Sequence, residues 1–140
     1  MPADDPERIR NALARSDIAW DAVVLACPPR AVDEALTDEE QLKLAQSRTL
    51  QVADIVKAVS EHRADHSGAG IGPRLWIVTR GAQQLDSRDR VTLAQAELRG
   101  IVRVLLFEHP ELKPTIADVD AEGTGSAPAL VAELLAAPDD

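Results

Sequence analysis

The sequence predicts an α/β fold in three layers, a short parallel sheet of about three strands flanked by helices. Three observations carry this. Two continuous apolar runs, at 22–27 and 75–78, are bounded by Pro and Gly and have the length of strands buried on both faces. Between and after them, apolar residues recur at spacings of three and four, the mark of helices. Strands that alternate with helices need crossover connections, and crossovers give parallel pairing. Sheets of this kind usually hold about four to six strands, so three make half of a doubly wound fold. At 140 residues the chain suits one domain, large enough to build a core without a disulfide or a metal.

In chain order, Asp5-Pro6 offers an N-cap followed by Pro at the first helical position, opening a short helix to about Arg15 with Ile9 and Leu13 on one side. Residues 1–17 are thus expected to form an acidic N-terminal helix, with the α/β unit over 18–138. The first strand follows Trp20-Asp21 and ends at Pro28-Pro29. Thr37-Asp38-Glu39-Glu40 is a capping box, and after it Leu42, Ala45, Thr49, Val52, Val56 and Val59 form one apolar stripe on a long helix ending near His62. A polar, Gly-rich loop over 65–72 leads to the second strand, Pro73 to Thr79, closed by Arg80-Gly81. Thr92 and Gln95 offer a second capping box, with Ala94, Leu98, Ile101, Val102 and Leu105 continuing at helical spacing until His109-Pro110. Thr115 to Val119 is a third, shorter strand. A last helix, Pro128 to Ala137, carries Leu130, Val131, Leu134 and Leu135.

Composition excludes several functions. Fifteen basic against 24 acidic residues give a formal charge of −9, which repels nucleic acid and an anionic membrane surface alike. The acidic N-terminus resembles neither a signal nor a transit peptide, and no apolar run approaches a membrane span. One cysteine permits no internal disulfide and no Cys-rich zinc site, so a reducing, cytoplasmic setting is expected. There is no tyrosine.

The stretch Leu75–Ala82, LWIVTRGA, followed by Ala94–Leu112, AQAELRGIVRVLLFEHPEL, and then by Asp118-Val119-Asp120, resembles the ketoreductase region of modular type I polyketide synthases. More narrowly, it resembles the non-catalytic structural subdomain that precedes the catalytic ketoreductase half. Trp20-Asp21-Ala22-Val23-Val24 fits the same pattern, and Leu98 to Arg103 looks most like synthases of the mycocerosic acid and phthiocerol type. The resemblance covers about residues 18–138. It implies a Rossmann-like unit, truncated because the family's subdomain has further strands and helices before the segment like Trp20–Cys27. It also implies partners in the catalytic ketoreductase half and neighbouring synthase domains, and a part in complex lipid synthesis.

Reductase chemistry is not expected. The related reductases use a Gly-rich turn for the cofactor pyrophosphate, a Tyr as proton donor and a Lys four residues on. Laying Leu98–Glu108 on the family pattern sets Val91 at the Tyr position and Gln95 at the Lys position, and neither can do that work. Gly68-Ala69-Gly70-Ile71-Gly72-Pro73 imitates the dinucleotide fingerprint, but Pro73 replaces its third glycine and the run precedes a strand. No cofactor and no catalytic residue are expected.

Other candidates have ordinary readings. His62 and His66 stand one helical turn apart as a metal pair would, but no third ligand converges, and histidines suit a helix C-terminus. Cys27 ends a strand where nucleophiles sit, yet no base accompanies it, so a buried small hydrophobe is expected. Asp118-Val119-Asp120-Ala121-Glu122 starts like a calcium loop but has Ala129 at the twelfth position, so solvated carboxylates are expected; no metal is. Trp20, Trp76 and Phe107 read as core and boundary residues. Arg99 and Arg103, like charges one turn apart, mark a solvated face or a docking face for another domain. The two sheet edges invite self-association. Two other functions stay open: a small nucleotide-binding α/β protein using Cys27, Thr79-Arg80-Gly81 and Asp118 to Asp120, or a stand-alone acidic adaptor.

Overall fold

The computed structural model describes residues 6–15, 20–27, 36–65, 72–87, 91–120 and 126–136. The elements run α1 (Pro6–Leu13), β1 (Ala22–Ala26), α2 (Asp38–Asp65), β2 (Arg74–Arg80), α3 (Leu93–Ala96), α4 (Leu98–Glu108), a 3-10 turn (Pro110–Leu112), β3 (Thr115–Val119) and α5 (Ser126–Ala136). The strands form one parallel sheet in the order β1-β2-β3. Val23 pairs with Leu75 and Leu25 with Ile77, while Ile77 pairs with Ile116 and Thr79 with Asp118. The α/β class and the parallel sheet flanked by helices are as expected.

Side chains alternate across a strand, so this register sorts the sheet into two faces. Val23, Leu25, Leu75, Ile77 and Ile116 meet Val52, Ile55, Val56 and Val59 of α2 and Leu98, Val102 and Leu105 of α4 in one core. Both crossover helices therefore cover the same face, as right-handed connections require when strands are laid down in chain order. Leu13 of α1 joins this core, and Arg10 pairs with Glu61 of α2 at 3.2 Å. On the other face Trp76 and Val78 are buried, with the Arg74 guanidinium 5.5 Å above the indole ring. There α5 lies over β3, and the two enclose an open cleft of about 400 Å³ lined by Trp76, Thr115, Leu130 and Glu133 among others.

Several expectations change. β1 is buried on one face only, for Val24 is 44% exposed and Ala26 is exposed beside it. It is an edge strand at the side of the sheet away from α5. Leu42 is exposed, because the apolar stripe of α2 reaches the core only from Val52 onward, and the helix runs on to Asp65. The capping box at its start is present: Thr37 donates its amide and hydroxyl to Glu40 Oε2, each at 2.8 Å, and the Glu40 amide returns to Thr37 Oγ1 at 3.4 Å. The second box is absent. Thr92 makes no side-chain cap, Gln95 bonds elsewhere, and the single expected helix is split at Glu97 into α3 and α4. Phe107 is 88% exposed, not a boundary residue. Asp5, His66, Glu122 and most of the Gly68–Pro73 run lie outside the described residues.

Candidate functional site

In open α/β sheets, ligands bind beyond the carboxyl ends of the strands. Here that place is occupied by the chain itself. Gly81 ends β2 with φ at 60°, a left-handed conformation that favours glycine, and turns the chain back over the sheet. Its amide donates to Val119 O at 2.9 Å, and its carbonyl accepts from the Thr92 amide at 2.7 Å. Asp118, at an inward-facing position of β3, holds this turn. Its Oδ1 accepts from Thr79 Oγ1 at 2.8 Å and from the Ala82 amide at 3.0 Å, while Oδ2 accepts from the Gln83 amide at 2.9 Å. The expected solvated carboxylate is instead a fastener between strand and loop. Thr79 is fully buried, so its hydroxyl is not offered to a phosphate.

Gln95 is also fully buried, and its Oε1 accepts from the Arg80 amide at 3.0 Å. Beside it Arg48 of α2 reaches across to the carbonyl of Ala94 at 2.7 Å, tying α2 to α3. Cys27 is buried at the end of β1, its amide bonded to Val78 O at 2.8 Å. Burial pushes its thiol pKa up, outweighing the opposing pull of Arg48, so the group is a poor nucleophile.

A Ser-His-Glu grouping that the sequence does not disclose lies at the far end of α4. Ser60 Oγ stands 3.5 Å, and Glu111 Oε1 3.0 Å, from His109. Both contacts fall on Nδ1. A proton relay needs the two ring nitrogens to face different partners, whereas here one nitrogen takes both contacts, which tie the end of α4 and the 3-10 turn to α2. His62 is half-buried on α2, and no group of metal-binding side chains occurs among the described residues.

The outer side of α4 is a second kind of site. Arg99, Gly100, Arg103, Val104 and Phe107 are all exposed, opposite the buried Leu98, Val102 and Leu105. Among the described residues no carboxylate pairs with either arginine.

A family model described as the Rossmann fold domain of the polyketide synthase extender module SpnB matches residues 2–140. The chain belongs to this family. It is 53% identical over 134 residues to a phenolphthiocerol/phthiocerol polyketide synthase subunit of Mycobacterium tuberculosis, covering 96% of this chain and 6% of that protein. It is 45% identical over 71 residues to the phthioceranic/hydroxyphthioceranic acid synthase of Mycobacterium bovis, covering 51% of this chain and 3% of that protein. No solved structure matches. The resemblance to phthiocerol-type synthases is therefore shown, and the chain corresponds to a small part of such multienzymes.

Within this Rossmann-fold family the chain places Val91 half-buried in the loop before α3 and Gln95 inside the core. Sequence reasoning singles out both residues but misses the Arg80 contact of Gln95 and the Asp118 fastening. A signal exists for the latter: in Thr115-Ile116-Ala117-Asp118-Val119, period-two alternation puts Asp118 on the same face as Ile116, where an acid needs donors.

Proposed function

We propose that this Rossmann-fold domain is a structural, non-catalytic member of the ketoreductase region of a cytoplasmic polyketide synthase that makes complex lipids. In this role it packs beside the catalytic ketoreductase half and carries no reductase chemistry of its own. One observation supports this above all others: at the carboxyl end of the sheet the Thr79 hydroxyl is given to Asp118 and Gln95 Oε1 accepts from the Arg80 amide, and both side chains are fully buried. A residue in that state can neither donate a proton to a ketone nor hold a ribose. The relatives' names supply the lipid context, and the exposed face of α4 supplies a surface for a neighbouring domain.

An amide-correlation NMR titration with NADPH tests the reading. At millimolar cofactor the resonances of Thr79 to Gly81 and of Gln95 are expected to stay in place. Saturable shifts there would mean a working nucleotide site and would overturn the structural role.

A further inference from the structure

The outer face of α4 has both a shape and a charge pattern. At 3.6 residues per turn, Gly100, Val104 and Phe107 fall on one stripe, directly opposite the residues α4 buries. A Cβ at Gly100 would meet nothing within 4 Å, so the helix backbone is bare there, while Phe107, two turns on, is 88% exposed. The face is a notch followed by a knob. Arg99 and Arg103 line one flank of the stripe and Glu108 the other.

We propose that this face docks a helix from one of the two segments that flank the domain in the same synthase polypeptide, one that seats a bulky apolar side chain on Gly100 and sets carboxylates against Arg99 and Arg103. The inference rests on the structural role proposed above and names the chemistry of the partner.

Three considerations choose this occupant. A second copy of the chain fits poorly in either direction. Antiparallel pairing seats Phe107 in the partner's notch but brings the Arg103 flank against itself, because a two-fold axis matches like flanks. Parallel pairing matches arginine with Glu108 but sets notch on notch and Phe107 on Phe107. A different helix with an acidic flank meets both demands. The second consideration is size. An 11-residue helix is about 16 Å long and presents far less than the roughly 800 Å² per partner of a stable free-standing interface. A contact that small suits partners held in one chain, where the linker keeps the effective concentration in the millimolar range. The third is length: the matching 134 residues are 6% of the phthiocerol synthase polypeptide, so such a protein has ample other segments.

The test uses the whole chain, labelled for NMR, titrated to millimolar concentration with each of the two segments that flank the matching stretch in that synthase, made as separate chains. The expected result is perturbation centred on residues 99–108 by one of the segments. Gly100→Leu, which fills the notch while favouring the helix, and the double change Arg99→Glu/Arg103→Glu should each weaken binding by about tenfold or more. Arg99→Lys/Arg103→Lys should retain most of it. Binding centred elsewhere and indifferent to Gly100→Leu would overturn the inference and leave the structural role standing. Binding by neither segment would overturn both. Sedimentation equilibrium adds a third arm: a dimer abolished by Phe107→Ser would make a second copy the occupant and overturn the inference.

Discussion

Asp118 shows how much one side chain can hold. Its carboxylate takes three donors from the end of β2 and the turn after it, and one of them, the Thr79 hydroxyl, has no access to water. Asp118→Ala leaves that hydroxyl and two loop amides unanswered, and should destabilise the fold by about 3 kcal/mol in urea titration, given the usual worth of charged hydrogen bonds. Asp118→Asn should fall between, because its NH2 would confront an amide that also donates. A loss as small as that of a surface substitution would show that the loop is held by other contacts. Glu40 offers a pH readout at the same scale. The Thr37 amide, then its hydroxyl, draws the Glu40 pKa below the ordinary glutamate value. A depressed carboxylate stabilises the folded state above its unfolded pKa of about 4.3 and loses that effect as pH falls through the folded value. NMR titration should therefore find Glu40 titrating at lower pH than a free glutamate, and Thr37→Val should move it upward. Of these details the capping box was legible, because its chemistry is local. That Asp118 needs donors can be read from its face of β3, but which donors it finds, and the Gln95 contact, cannot, since each joins residues that only the sheet register and the Gly81 turn bring together.

Among the elements, β2 is the spine. It pairs on both sides, and Leu75, Trp76, Ile77, Val78 and Thr79 are all buried. β1 reads almost the same in sequence yet is half exposed. An apolar run marks a strand without saying how many of its faces are covered; that depends on which helices arrive later and on which side. The two strands should respond differently. Ile77→Ala removes volume from the core shared with α2 and α4, and should cost about 3 kcal/mol. Val24→Ala, on the open face of β1, should lie within about 0.5–1 kcal/mol of the parent. Equal losses in denaturant melts would mean that β1 is covered on both sides in solution. The break at Glu97 was not legible either: helical spacing runs unbroken from Ala94 to Leu105, yet α3 ends after one turn, at a Glu97 whose own backbone stays in the right-handed helical region.

For the molecule as a whole, the order of elements and the parallel sheet were readable from alternation alone, whereas the distribution of helices between faces was not. Placing α2 and α4 together concentrates the apolar core on one side and, among the described residues, leaves α5 alone on the other. Stability should be distributed the same way. In native-state hydrogen exchange, β2 and the half of α2 that carries Val52 to Val59 should be the last to open, with β1 and α5 exchanging earlier. Uniform protection would contradict so one-sided a core.

The strand order has a consequence for how such a domain is made. Among the described residues each strand joins the edge left by its predecessor, and none is inserted between two that are already in place. During synthesis at about 5–20 residues per second, the β1-β2 pair and α2 can close as soon as Arg80 has emerged, and β3 then adds at the free side. In a multienzyme about seventeen times longer than the matching stretch, a unit that assembles in the order of its own translation would stand finished, as a ready surface, while its neighbours were still leaving the ribosome.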